Sequence, residues 1–194
     1  MPGNVFFGLR HGESEANAAG LIVSEPARGV AAWGLTPTGR LQVGESVRAA
    51  AARGELTATT FIYTSDFLRA RDTAEVARTT LGAGAVRLRT ALRERAFGRH
   101  EGGPNTAYEP VWRRDREDEA HTDGGVEAAA AVRERTWHLV LDLEAALTDQ
   151  TVLLVGHGDP LQLLATAFAG RPAGEHRALP HWAPGEVRRL GAVR

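Results

Sequence analysis

The chain has 194 residues, 43% hydrophobic and 24% charged, with a formal net charge of −1. That balance fits one soluble globular domain and provides no global field to attract nucleic acid or a membrane surface. Cysteine is absent, which excludes disulfides, thiolate metal ligands and cysteine nucleophiles. No apolar run approaches the roughly 20 residues that cross a bilayer. The opening "MPGNVFF" has no n-region, h-region or cleavage site of a secretory signal, so a cytoplasmic protein is expected. All 23 basic residues are arginine, a side chain suited to forked contacts with carboxylate and phosphate, although the base composition of the source genome explains such a bias more simply.

The run "NVFFGL" (4–9) reads as a strand buried on both faces. "LTPTGRLQVGESVRAAAARG" (35–54) reads as a helix capped by Thr36, with Pro37 in the first position and Gly54 at the stop. "TFIYTS" (60–65) is a second strand, followed by a helix over 65–82 with Ser65 as cap and Gly82 beyond its end. "AVRLR" (85–89) is a weaker strand. The spacing of Val132, Leu139, Leu143 and Leu147 predicts a long helix from about 125 to 147. "TVLLVG" (151–156) is the clearest strand, 159–170 is helical, and 185–193 forms a last edge strand. Strands separated by helices predict an α/β protein with a largely parallel sheet covered on both faces. The charged stretch 100–125 is expected to be a partly helical lid or surface excursion on a single domain spanning 1–194.

In parallel sheets, ligands bind beyond the carboxyl ends of the strands. Arg10 and His11 follow the first strand, Arg69 follows the second, Glu94 the third, and His157 the fourth. Each has an ordinary structural reading alone, but those readings do not bring all five to one rim. Two guanidiniums and two imidazoles make a cup of donors for a phosphoryl group. One imidazole can attack phosphorus if neutral, and nearby arginines favour the neutral form. Glu94 is the carboxylic acid placed to protonate a leaving alkoxide. Fixed cations then do the work often given to magnesium. A metal hydrolase built on "HGE" (11–13) and "HGD" (157–159) fits less well, because arginines beside a dication are unfavourable.

The chain's motifs resemble those of the histidine phosphatase superfamily, the phosphoglycerate-mutase-like proteins. "RHGESEAN" (10–17) resembles its signature, and "LTPTGRLQ", "TSDFLRARDTA", "LRERAFGRHEG", "GGVEAAAAVRER" and "VLLVGHGDPL" resemble its later motifs in order. The resemblance implies a three-layer α/β/α fold, no required metal or other cofactor, and a homodimer as one form. It makes His11 the phosphorylated nucleophile and Glu94 the proton donor, later the base for water. Arg10, Arg69 and His157 hold the phosphoryl group, with Asn17 at the pocket mouth and Gly158 offering its N–H. Ser14, Arg95, Arg113 and Arg114 are further substrate-binding candidates, the last two because "VWRRD" (111–115) resembles the mutases' "WRR".

The chain departs from the pattern at "GGVE", where an alanine replaces the usual serine after Glu127, and at Asp159, which is expected to repel a second phosphate or shape the leaving-group pocket. Trp33, Tyr108, Trp112 and Trp182 are aromatic residues able to line a pocket or to anchor loops. The expected function is a metal-independent phosphomonoesterase acting on a small phosphorylated substrate through phosphohistidine. A cofactor-dependent phosphoglycerate mutase is the alternative within the family, and a non-catalytic phosphate-binding scaffold is the alternative of another class.

Overall fold

Alternating apolar runs and capped helical stretches become a five-stranded sheet wrapped by helices in the computed structural model, which describes residues 3–193. In chain order the elements are β1 (Val5–Arg10), the one-turn helices α1 (Glu15–Ala18) and α2 (Pro26–Gly29), α3 (Pro37–Ala52), β2 (Phe61–Thr64), α4 (Leu68–Leu81) and β3 (Arg87–Leu88). There follow α5 (Tyr108–Glu117), α6 (Ala129–Ala146), β4 (Thr151–Gly156), α7 (Gly158–Phe168) and β5 (Val187–Gly191). The strands lie in the order β3-β2-β4-β1-β5. The first four run parallel, and β5 pairs antiparallel with β1 at the edge.

Alternation along the strands divides the core in two. Phe7, Leu9, Ile62, Leu153 and Val155 face Val43, Val47 and Ala50 of α3 and Ala74 and Ala77 of α4. Phe6, Tyr63, Val152 and Leu154 face Leu139, Val140 and Leu143 of α6 and Leu164 of α7. Burial on both faces is why these strands read as unbroken apolar runs. Truncating Leu154, which is fully buried, to alanine would cost about 2–5 kcal/mol. No helix among the described residues is long and apolar enough to cross a membrane.

Local signals set most boundaries. The Thr36 hydroxyl accepts the Gly39 N–H at 3.0 Å, and Pro37 occupies the first turn of α3. Gly82 ends α4 in the left-handed region, at φ 65°. Two helix starts differ from the sequence reading. α4 begins at Leu68, because Ser65 turns its hydroxyl toward His157 (3.0 Å from Nε2) rather than capping the helix. α6 begins at Ala129 and not near 125, because Gly124 and Gly125 have φ of 66° and 80°, outside any right-handed helix. The stretch 100–125 is partly helical through α5, and Val111 packs with Ile22, Phe97 and Val126 in a small core of its own.

Candidate active site

β2, β4 and β1 are neighbours and parallel, so their carboxyl ends open on one rim. Arg10 closes β1 and His11 follows it; His157 follows β4; Arg69 lies in the first turn of α4, after β2. Glu94 enters from the connection after β3. A close backbone contact fixes the loop that carries His11. A Cβ on Gly12 would lie 2.3 Å from the Gly39 carbonyl oxygen, and one on Gly39 would lie 2.1 Å from that of Glu13. Only glycine at both positions lets the first turn of α3 press on this loop. Arg10, His11, Ser14, Asn17, Arg69, Glu94 and Gly158 line a cleft of about 360 Å³. His157 sits just behind, fully buried, its ring 5.2 Å from that of His11.

The polar contacts define the protonation states. His11 Nδ1 lies 2.8 Å from the Gly12 carbonyl oxygen, which can only accept, so Nδ1 carries the proton and Nε2 presents a lone pair. The Arg69 Nε–H is shared between His11 Nε2 and His157 Nδ1, 3.2 Å from each. The opposite nitrogen of His157 lies 3.0 Å from the Ser65 hydroxyl. Glu94 Oε2 stands 3.7 Å from Arg69 Nη2 and 3.8 Å from His157 Nδ1.

Electrostatics follow from this packing. Burial, then the Arg69 charge, holds both His11 and His157 well below the usual histidine range, so both rings are neutral. Burial pushes the Glu94 carboxyl up to about 7; Arg69 opposes that rise and Asp159 reinforces it. A neutral imidazole and a carboxyl able to hold a proton at neutral pH therefore face the same space. Arg10 Nε and Arg69 Nη1 are buried with no hydrogen-bond partner. Each such donor costs about 1–3 kcal/mol unless a ligand supplies an acceptor. The first N–H groups of α7, beginning at Gly158, are also free of helical acceptors.

His11, Glu94 and His157 could offer three ligand atoms within 4.8 Å of one another. The Arg69 guanidinium is hydrogen-bonded to the same ring nitrogens, and its fixed charge opposes a dication there.

Other sequence candidates lie elsewhere or have secondary parts. Ser14 caps α1: its hydroxyl accepts the Asn17 N–H at 3.2 Å and donates to Asn17 Oδ1 at 3.0 Å. That pairing fixes Asn17 at the rim of the cleft. Arg95 is not brought to the cleft. It is fully buried behind Asp159, which it reaches at 3.4 Å, and is forked onto Asp115 with both contacts at 2.7 Å. Arg113 and Arg114 are not brought there either: Arg113 is exposed, and Arg114 pairs with Glu117, Asp118 and Asp123. Glu127 pairs with Arg135 at the approach to α6. Trp182 anchors a loop: it packs where a Cβ on Gly8 would come within 2.5 Å. Tyr108, Trp112 and Asp159 line the cleft, joined by Arg177 and His181, which no sequence motif singled out.

A cup of two guanidiniums and two neutral imidazoles at the end of a parallel sheet marks an α/β protein suited to small oxyanions. The family model of the histidine phosphatase superfamily (branch 1) matches residues 6–192, and the chain belongs to that family. Among solved structures, mycobacterial glucosyl-3-phosphoglycerate phosphatase in complex with VO3 is similar over 95% of this chain and 91% of that one, at 28% identity and a TM-score of 0.78. A mycobacterial protein described as hydrolase 1 is 26% identical over 95% of this chain and 90% of its own, also with a TM-score of 0.78. Phosphoserine phosphatase from Entamoeba histolytica, solved with 3-phosphoglyceric acid, shares the fold at 22% identity and a TM-score of 0.72, over 93% of this chain and 87% of that one. Comparison with curated proteins gives no match.

Proposed function

We propose that this protein is a metal-independent phosphomonoesterase that works through a phosphohistidine on His11. One observation carries the reading: the Nε2 lone pair of a neutral, buried imidazole faces the same cleft as two unpartnered guanidinium N–H groups and a carboxyl poised near pH 7. The phosphoryl group of the substrate takes over the Arg69 donors, which frees His11 Nε2 to attack. The N–P bond forms as the P–O ester bond breaks, and the departing oxygen takes the proton of Glu94. Glu94, now ionised, accepts a proton from water as that water attacks phosphorus; phosphate leaves and His11 returns to its neutral form. Arg10, Arg69, His157 and the N-terminus of α7 stabilise the charge on the equatorial oxygens. The phosphatase activity of the similar mycobacterial protein, solved with VO3 and with inorganic phosphate, supports this reading.

A phosphoglycerate mutase fits less well, because the "WRR" arginines do not line the cleft. Brief incubation with labelled substrate followed by quenching should leave acid-labile, alkali-stable label on the protein. His11→Ala should abolish the label and lower kcat by about 10⁴-fold or more. Turnover that survives this replacement would overturn the mechanism. Isomerisation of 3-phosphoglycerate outpacing phosphate release, with 2,3-bisphosphoglycerate added, would make it a mutase instead. Binding of phosphate esters with no turnover of any would make it a scaffold.

A further inference from the structure

Beyond the phosphoryl end, the cleft continues between Tyr108, Trp112, Asp159, Arg177 and His181. Trp112 organises this half. Its indole stacks on Tyr108, centroids 5.3 Å apart and planes within 6° of parallel. The Arg177 guanidinium lies over the indole at 3.8 Å, a cation–π contact that holds the fork flat and leaves its N–H edges available. The indole N–H reaches both oxygens of Asp159, at 2.9 and 3.0 Å.

Most other half-buried arginines here have carboxylate partners: Arg93 has Asp66, Arg135 has Glu127 and Arg188 has Glu186. Among the described residues Arg177 has none. Its polar partner is His181 Nδ1 at 3.2 Å, and His181 Nε2 in turn lies 3.3 Å from Arg10 Nη1. An imidazole between two guanidiniums is a mismatch. Guanidiniums only donate, and a neutral ring accepts through one nitrogen, so one of the two contacts sets N–H against N–H. An anionic oxygen placed between them would resolve it.

We propose that Arg177 and His181 form a carboxylate subsite for the leaving group, so that the preferred substrates are phosphomonoesters of small hydroxy acids. This rests on the phosphatase reading above and deepens it. A carboxylate matches the planar guanidinium fork. Asp159, held by the same indole and by Arg95 at 3.4 Å, disfavours a second phosphate dianion and keeps lone pairs for a hydroxyl or ammonium beside the carboxylate. The acid is small because a single imidazole separates Arg177 from Arg10, which grips the phosphoryl end.

The test compares two probes that differ at one group: 3-phosphoglycerate, with a carboxylate, and glycerol 3-phosphate, with a hydroxymethyl in its place. The enzyme should favour 3-phosphoglycerate in kcat/KM by about tenfold or more, and Arg177→Gln should lower that ratio about tenfold. Were Arg177 only a brace for Trp112, its replacement would slow both substrates alike; an unchanged ratio, or a wild-type ratio near one, overturns the proposal. If neither ester turns over, the phosphatase reading is tested separately, by the labelling of His11 with other phosphate esters. The subsite is then read by calorimetric binding of both esters to His11→Ala. Tighter binding of 3-phosphoglycerate that is lost in His11→Ala/Arg177→Gln supports it, and equal affinities overturn it.

Discussion

Two clusters of buried charge meet at residues 94 and 95, linked by a 3.4 Å contact between Arg95 and Asp159, and they are handled in opposite ways. On the cleft side, Arg69 is 3% and His11 2% exposed, yet guanidinium donors stand open and the carboxyl of Glu94 approaches Arg69 no closer than 3.7 Å. In the second cluster, Arg95 and Asp115 are wholly buried and each guanidinium nitrogen of Arg95 has a partner. Arg95 forks onto Asp115 and its Nε donates to the Glu127 carbonyl oxygen at 2.7 Å; His121 Nε2 adds a contact to Asp115 at 2.9 Å. Burial therefore does not mark function in this molecule. Guanidinium donors left unspent distinguish the cleft, while the paired Arg95 and Asp115 tie α5 to the body of the protein.

Replacing Glu94 tests the open cluster. Its folded pKa of about 7 lies above the ordinary value of 4.5. Between those pH values the native state holds a proton that the unfolded chain has released. The destabilisation is thus absent below the unfolded pKa, grows as pH rises, and is complete above about 7. Glu94→Gln should lower kcat by about 10²–10⁴-fold, yet raise stability at pH 8 by roughly 3 kcal/mol with little change at acid pH. In the wild type, kcat/KM should decline above pH 7 as the acid ionises, and that decline should vanish in the variant. Rate profiles and urea unfolding at the two pH extremes check both; a variant destabilised at pH 8 would break the contrast.

The satisfied cluster should respond the other way. Asp115→Ala leaves the buried Arg95 guanidinium with only the longer Asp159 contact at 3.4 Å and removes the partner of His121, so it should cost about 3 kcal/mol of stability. The double replacement Arg95→Met/Asp115→Leu should recover most of that loss, because neither charge is left alone. A shift in the urea midpoint of Asp115→Ala no larger than that of an exposed-residue change would mean that the pair is not closed in solution.

The cleft half of this picture was legible in sequence and the other half was not. Arg10, His11 and His157 end or follow short apolar runs, and a parallel sheet delivers strand ends to one rim, so the strand pattern places them together. The glycine contact between residues 12 and 39 lay inside two quoted motifs, though its purpose appears only when the backbones touch. Ser65 read as a helix cap because a serine before a helical run usually is one; its hydroxyl has a tertiary partner that outcompetes capping. Arg95 is among the substrate-binding candidates, but its guanidinium is taken up by Asp115 and does not line the cleft. Arg177 and His181 carry no local signal, since their place depends on how the segment after α7 folds back over Trp112.

The smallest effect sharpens the boundary between the clusters. Ser65 is fully buried beside the open one, yet its own bonds are satisfied. In the proposed mechanism the phosphoryl group takes over the Arg69 donors, so Nδ1 of His157 carries the ring proton toward it while Nε2 accepts from the Ser65 hydroxyl at 3.0 Å, whose oxygen receives the Phe67 N–H at 3.3 Å. Ser65→Ala deletes that donor without touching the cleft. The His157 ring loses the bond that selects its tautomer, worth about 1 kcal/mol, so kcat/KM should fall about fivefold while the unfolding midpoint barely moves. Nitrogen chemical shifts of His157 should report a mixed tautomer population in the variant. A fall of a hundredfold or more would put Ser65 in contact with the reacting group, and no fall at all would place it with the satisfied cluster.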